Sequence, residues 1–297
     1  MSPSSSALLL SCALALADFA AEPVLHIRKR VSEVQFTVVA EDGSGRPLRN
    51  LSANVLSVRD NGQTIADFHL RAASDLPLRI GIMADLSGST AVTWEQVRTS
   101  LIRATGDLLQ PQDQVLLVEF NQKIQIARTI QQPAELARVL PAKEVGGLTA
   151  LYDSVYLTCA DREFFERSGP RHAALILLSD GEDNLSLRGL DDAIARAQQS
   201  NIAIYTIAMH RRKAHLAGDT ILRAMAENTG GRAFVVRDGA ELQVALATIG
   251  EELRSAYLLD FRPAQDDGTQ LFHRVEVAPI PGEHLRVRTR AGYFTSP

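Results

Sequence analysis

The sequence predicts an α/β protein built on a doubly wound, mostly parallel sheet. Two observations carry that reading. Between Leu78 and Val236, short runs of apolar and β-branched residues alternate with stretches of ten or more residues at helical spacing. Crossovers of that length join parallel strands and cover both faces of the sheet with helices. In addition, Leu78 to Ala84 (LRIGIMA), Arg79 apart, and Ala173 to Leu178 (AALILL) are apolar runs without alternation, the texture of strands buried on both faces.

The elements follow in order. After the first strand, Trp94, Val97, Leu101, Ala104 and Leu108 recur at helical spacing, and Pro111 stops that helix near Leu109. Val115 to Phe120 is a second strand. Asn121-Gln122 turns the chain into Lys123 to Arg128, where Ile124 and Ile126 alternate with polar residues, as in a half-exposed antiparallel strand. Thr149 to Ala160 reads as a helix, Leu190 to Ser200 as another, Ile202 to Met209 as a strand and Thr220 to Asn228 as a helix. Thr229-Gly230-Gly231 closes that helix before the short strand Arg232 to Val236. Asp238 then opens a long helix with Leu242, Ala245, Leu246, Ile249 and Leu253 on one face.

The flanks have a different texture. Val31 to Val39 is rich in β-branched residues, and Ser52 to Val58, Asp60-Asn61-Gly62 and Thr64 to Leu70 read as a hairpin around an Asn-Gly turn. Tyr257 to Phe261, Arg274 to Val277 and Leu285 to Arg290 alternate as strands. The chain therefore divides into a β unit over 22–74, the α/β domain over 75–255 and a β segment over 256–297.

Hydrophobic residues make up 45% of the 297, and the net charge is −4. Nucleic-acid binders carry a basic surplus, so that class is excluded. The single basic run, His210-Arg211-Arg212-Lys213, reads as a solvated loop with His210 and His215 as surface histidines. Ala7 to Ala17 (ALLLSCALALA) has the length of a signal-peptide core and is too short for the roughly 20 residues of a membrane span. Small residues follow it, although no Lys or Arg precedes it. The expectation is a leader over 1–21 and a periplasmic or extracellular protein without a transmembrane span. Removing it leaves Cys159 alone, with no disulfide partner, as a small buried residue.

Doubly wound sheets place ligand sites in loops at the carboxyl ends of their strands. Three loops lie there. The first strand runs into Asp85-Leu86-Ser87-Gly88-Ser89, the strand at 173–178 into Ser179-Asp180-Gly181-Glu182-Asp183, and Gly146-Gly147-Leu148-Thr149 enters a helix. Carboxylates and hydroxyls without His or Cys are hard donors that suit Mg²⁺, with Ca²⁺ or Mn²⁺ as the other hard cations, rather than Zn²⁺. Two carboxylates and three hydroxyls do not fill such a site, so waters complete it and leave a position open to a partner's carboxylate.

Asp85-Leu86-Ser87-Gly88-Ser89 resembles the D-x-S-x-S motif of von Willebrand factor type A domains, and Thr149 and Asp180 resemble the other two parts of that family's metal-ion-dependent adhesion site. Gly147-Leu148-Thr149 stands where the family often has Gly-Gly-Thr. The resemblance covers about Leu76 to Ser255. It implies direct metal ligation by Ser87 and Ser89, with Thr149 joining in one state, and Asp85 and Asp180 acting through water. Asp153 is the understudy of Thr149; with Glu182 and Asp183 it otherwise reads as a helix-face or loop carboxylate. The flanks, including Arg290-Ala291-Gly292-Tyr293-Phe294, resemble those of bacterial exported type A proteins, which implies one small β-sandwich formed by both ends of the chain.

No phosphate-binding loop, G-x-S-x-G elbow or HExxH motif occurs. The expected function is therefore a metal-dependent adhesion module for a protein ligand presenting a carboxylate, and not an enzyme. Two alternatives stand beside it: a hydrolase with Glu182 or Asp183 as base to a metal-bound water, and a scaffold with a vacant site.

Overall fold

The computed structural model describes residues 33–90, 93–130, 132–140, 146–165, 172–210, 217–263 and 271–295. The leader read at 1–21 and His215 lie outside them. In chain order the elements are β1 (Val34–Glu41), β2 (Leu56–Asp60), β3 (Gln63–Ile65), β4 (Phe68–Ala72), β5 (Leu78–Asp85), α1 (Trp94–Leu108), β6 (Gln114–Phe120), β7 (Ile124–Ile130) and α2 (Pro133–Val139). There follow α3 (Leu151–Cys159), α4 (Arg162–Phe165), β8 (His172–Leu178), α5 (Leu190–Gln199), β9 (Ala203–Met209), α6 (Ala217–Thr229) and β10 (Ala233–Val236). The last are α7 (Gly239–Ser255), β11 (Tyr257–Phe261), β12 (Phe272–Pro279), β13 (Arg286–Arg288) and β14 (Gly292–Phe294).

Six strands form the central sheet in the order β10-β9-β8-β5-β6-β7. All neighbours are parallel except β7, which pairs antiparallel with β6 at the edge, as the alternation at Ile124 and Ile126 predicts. Side chains alternate across the sheet and feed two cores. On one face Ile80, Ile82, Ile176 and Tyr205 meet Trp94, Leu101, Leu242 and Ile249 of α1 and α7. On the other, Met83, Leu175, Leu177 and Ile204 meet Leu151, Val155, Ala193 and Met225 of α3, α5 and α6. Cys159 belongs to this second core, and burial pushes its thiol up to about 12. Asp238, read as opening the last helix, stands one residue before α7 and caps it: its carboxylate accepts from the amides of Ala240 and Glu241 at 2.9 Å each.

Both chain flanks build one β-sandwich. Its antiparallel sheets run β13-β1-β11-β4 and β14-β12-β2-β3. Phe36, Val58, Leu259, Phe261, Val277 and Tyr293 fill the space between them. The Asn61-Gly62 turn has both residues at positive φ, 48° and 82°, which is the hairpin turn expected of Asn-Gly. The second strand of that hairpin is shorter than its sequence reading. Ile65 and Phe68 both pack on the sandwich core, yet they are three residues apart and a period-2 strand would face them oppositely. The chain resolves the conflict by breaking at Ala66-Asp67, and β4 joins the opposite sheet. Helix α2 was also not foreseen; Pro133 at its first turn and the buried Leu136 and Leu140 explain it.

Where the sandwich meets the α/β domain, four charges interlock. Arg232 reaches Glu41 at 3.3 Å and Glu252 at 2.7 Å, and Arg288 reaches the same two carboxylates at 2.9 and 2.5 Å. Arg290, from the tail motif, is buried over the Phe36 ring at 4.3 Å and donates to the carbonyls of Gln35 and Gln198. Burial holds its guanidinium well below the usual value, at about 9. The tail motif thus fastens β1 to α5.

Candidate metal centre

Because β5 and β8 are parallel neighbours in register, with Ala84 opposite Leu178, their carboxyl ends deliver Asp85 and Ser179-Asp180 side by side. Asp85 is buried. Its Oδ1 accepts the amide of Ser87 at 2.9 Å, and its Oδ2 accepts the Ser179 hydroxyl at 2.6 Å. Thr90 closes the loop by donating to the carbonyls of Asp85 and Ser87 at 2.8 and 3.0 Å. The Oγ atoms of Ser87 and Ser89 lie 3.2 Å apart. The loop before α3 is tied to this one by Gly146 N to Leu86 O at 2.8 Å and Gly88 N to Gly147 O at 3.1 Å.

Thr149 is buried next to these ties but precedes the helix it was expected to open. Its amide donates to Asn184 Oδ1 at 2.9 Å, and its carbonyl accepts the amides of Asn184 and Leu185. Asp180 lies at the cavity lined by Asp85 and Ser89, with Oδ1 accepting the amide of Glu182 at 3.1 Å. All five predicted residues therefore stand on three mutually bonded loops at one end of the sheet. Among the described residues neither Asp85 nor Asp180 has an ion-pair partner. Burial pushes the Asp85 carboxyl above its ordinary 3.8; hydrogen bonds from Ser179 and Ser87 oppose this, and the charge of Asp180 adds to the rise. An oxygen-only donor set with uncompensated negative charge fits a hard divalent cation.

Asp153 and Asp183 stand as the helix-face or loop carboxylates of the sequence reading, and Asp153 does not take the understudy's place beside Thr149. Asp153 is occupied by Arg188, at 2.9 Å, and by the amides of Leu187 and Arg188. Asp183 accepts Ser186 Oγ at 2.6 Å and the Tyr152 amide at 3.2 Å. Neither is directed to the cluster by these bonds. His210 is not a surface histidine: it is mostly buried and holds Asp219 Oδ1 with Nε2 at 2.7 Å. The sequence reading missed Ser179, which directly precedes Asp180 and anchors Asp85, and Asn184, which fixes Thr149.

A backbone contact places Asp180. Gly181 has φ +79°, and a Cβ on Gly218 would stand 1.9 Å from the Asp180 carbonyl oxygen. Gly218→Ala therefore forces the loop or the start of α6 to move, at an expected cost of about 1–3 kcal/mol, with weaker cation binding. Gly106→Ala, on an exposed turn of α1 with open space around it, is the control and should gain about 0.5–1 kcal/mol. Denaturant melts and Mg²⁺ titrations of both variants test the contrast; equal behaviour would show that the contact is dispensable.

The model of the von Willebrand factor type A domain matches residues 80–248, more than half of the sequence. No curated protein matches it. Among solved structures, a von Willebrand factor type A protein from Catenulispora acidiphila is 12% identical and aligns over 82% of this chain and 75% of its own, with a TM-score of 0.48. The von Willebrand factor domain of the type V pili tip protein Mfa5 from Porphyromonas gingivalis is 14% identical over 59% of this chain and 94% of its own, with a TM-score of 0.45. Proximal thread matrix protein 1 of the mussel byssus is 15% identical over 63% of this chain, with a TM-score of 0.46, and this chain spans half its length. No described helix is long and apolar enough to cross a membrane.

Proposed function

Since the chain belongs to the von Willebrand factor type A family, we propose that it is a protein-interaction module of the adhesion type that holds Mg²⁺ in the strand-end cluster and grips a partner's carboxylate there. The observation that carries this reading is the bonding of three loops around Asp85, with the Ser87 and Ser89 hydroxyl oxygens 3.2 Å apart and two carboxylates lacking a counter-charge among the described residues. When bound, the cation supplies that charge and a coordination position for a partner oxygen. Ser87 and Ser89 offer direct oxygen ligands; Asp85 and Asp180 orient waters and balance charge. Thr149, held by Asn184, is the hydroxyl able to join when its loop moves. Ser179 keeps Asp85 aimed.

The cluster is read as a binding site rather than a hydrolytic one. Asp183, one of two candidate bases, is already committed to Ser186 and Tyr152. With the leader read at 1–21, the module works in the periplasm or outside the cell.

Calorimetric titration of the chelator-treated protein with Mg²⁺ tests the proposal. Binding with a Kd of about 1 mM or tighter is expected, on the scale of open extracellular cation sites. Absence of binding in that range removes the metal-dependent reading and leaves the scaffold. Steady ester or phosphate-ester turnover that disappears with the cation would instead favour the hydrolase.

A further inference from the structure

The cluster is not a flat surface. Asp85, Ser89 and Asp180 line one side of a cavity of about 270 Å³ that continues inward between α1, α7 and the ends of β8 and β9. One wall is apolar, made by Trp94, Val97, Leu178, Ile207, Met209 and Leu242. All but Met209 are buried. An apolar hole of about 150 Å³ already accepts a benzene ring, so this one has room for a branched aliphatic or phenyl side chain. A second wall is polar and acidic: the buried Asp85, Asp180 and the exposed Glu182 stand there with Thr90, Thr93 and His210.

These two walls define an occupant. We propose that the cavity is a side-chain pocket, and that the partner presents a carboxylate with a bulky apolar side chain beside it, the carboxylate at the cation and the apolar group between α1 and α7. The inference rests on the metal reading of the cluster and adds the partner's second recognition element. The three carboxylates repel a free anion, so the cation must be bound before such a segment enters. A purely acidic segment leaves the apolar wall unfilled, while an apolar segment without the carboxylate gives up the charge.

The experiment uses the full chain and a series of small carboxylates, acetate, isovalerate and 3-phenylpropanoate, titrated at saturating Mg²⁺ and in chelator. Affinity should rise from acetate to 3-phenylpropanoate by at least about tenfold, as burial of several carbon atoms requires. Chelator should abolish binding of all three anions. Val97→Phe fills the pocket and should flatten the series while leaving Mg²⁺ affinity unchanged. Met209→Phe, at the half-buried strand end, is the independent second variant should the first fail to fold. Mg²⁺ binding with equal affinity for all three carboxylates overturns the pocket. If Mg²⁺ does not bind at all, the metal reading falls, and the uncharged 3-phenylpropanamide decides the cavity alone. Binding to the wild-type protein that the filled variants lose supports a pocket; no binding overturns it.

Discussion

Asp85→Ala should abolish Mg²⁺ binding and metal-dependent partner capture while the protein still folds. Removing a carboxylate that acts on a cation through water lowers affinity by about 10–100-fold. Here the upper end is expected, because Asp85 also holds Ser87 and Ser179 in place. Stability should change far less. The variant leaves the Ser87 amide and the Ser179 hydroxyl without their acceptor, at about 1–3 kcal/mol. It also relieves a carboxylate whose own burial opposes its charge. Asp85→Asn separates the parts, since it keeps an acceptor for Ser87 and loses the charge. Calorimetry with Mg²⁺ and thermal melts check both variants. A folded Asp85→Ala protein that binds Mg²⁺ as tightly as the wild type would remove Asp85 from the site; an unfolded one would make its role structural.

Glu252→Ala carries the largest expected loss of stability. Glu252 is fully buried on α7 and is the carboxylate that both Arg232 and Arg288 approach most closely. Removing one partner from a buried pair costs about 3–5 kcal/mol, mostly for the charge left behind. Arg232 and Arg288 keep 36% and 24% of their side chains exposed, so water recovers part of this, and about 3 kcal/mol is expected. Glu252 also raises the Tyr205 hydroxyl beyond its ordinary range, after burial itself, so the Tyr205 environment should change in the same variant. Urea denaturation measures the loss. A change below about 1 kcal/mol would place the network with ordinary surface pairs.

The α/β layer was legible because its signals are local and redundant. Leu78 to Ala84 is apolar nearly throughout and buried nearly throughout, and the α7 face repeats the helical period with its buried residues on that period. The oxygen cluster was legible for a different reason: strand ends gather ligands, and three polar loops sat at strand ends. What escaped depends on contacts between distant residues. Nothing near Ile65 says that the chain must leave its sheet; only the shared core with Phe68 does. His210 reads as part of a basic loop until Asp219, on α6, is placed against it. Thr149 precedes its helix because Asn184, 35 residues on, takes its amide.

The pairing of β1 with β11, which sets Val34 opposite Phe261, has a consequence for the order of assembly. The first described strand to be synthesised finds both of its neighbours, β11 and β13, only after α7 has been made. Long-range pairings of this kind are slow because loop closure precedes their reward. The α/β layer, whose strands pair among themselves, is free to close first. Until the tail arrives, Phe36 and Val38 have only the β2-β3 hairpin of the opposing sheet to cover them, and during that interval the nascent chain is exposed to aggregation.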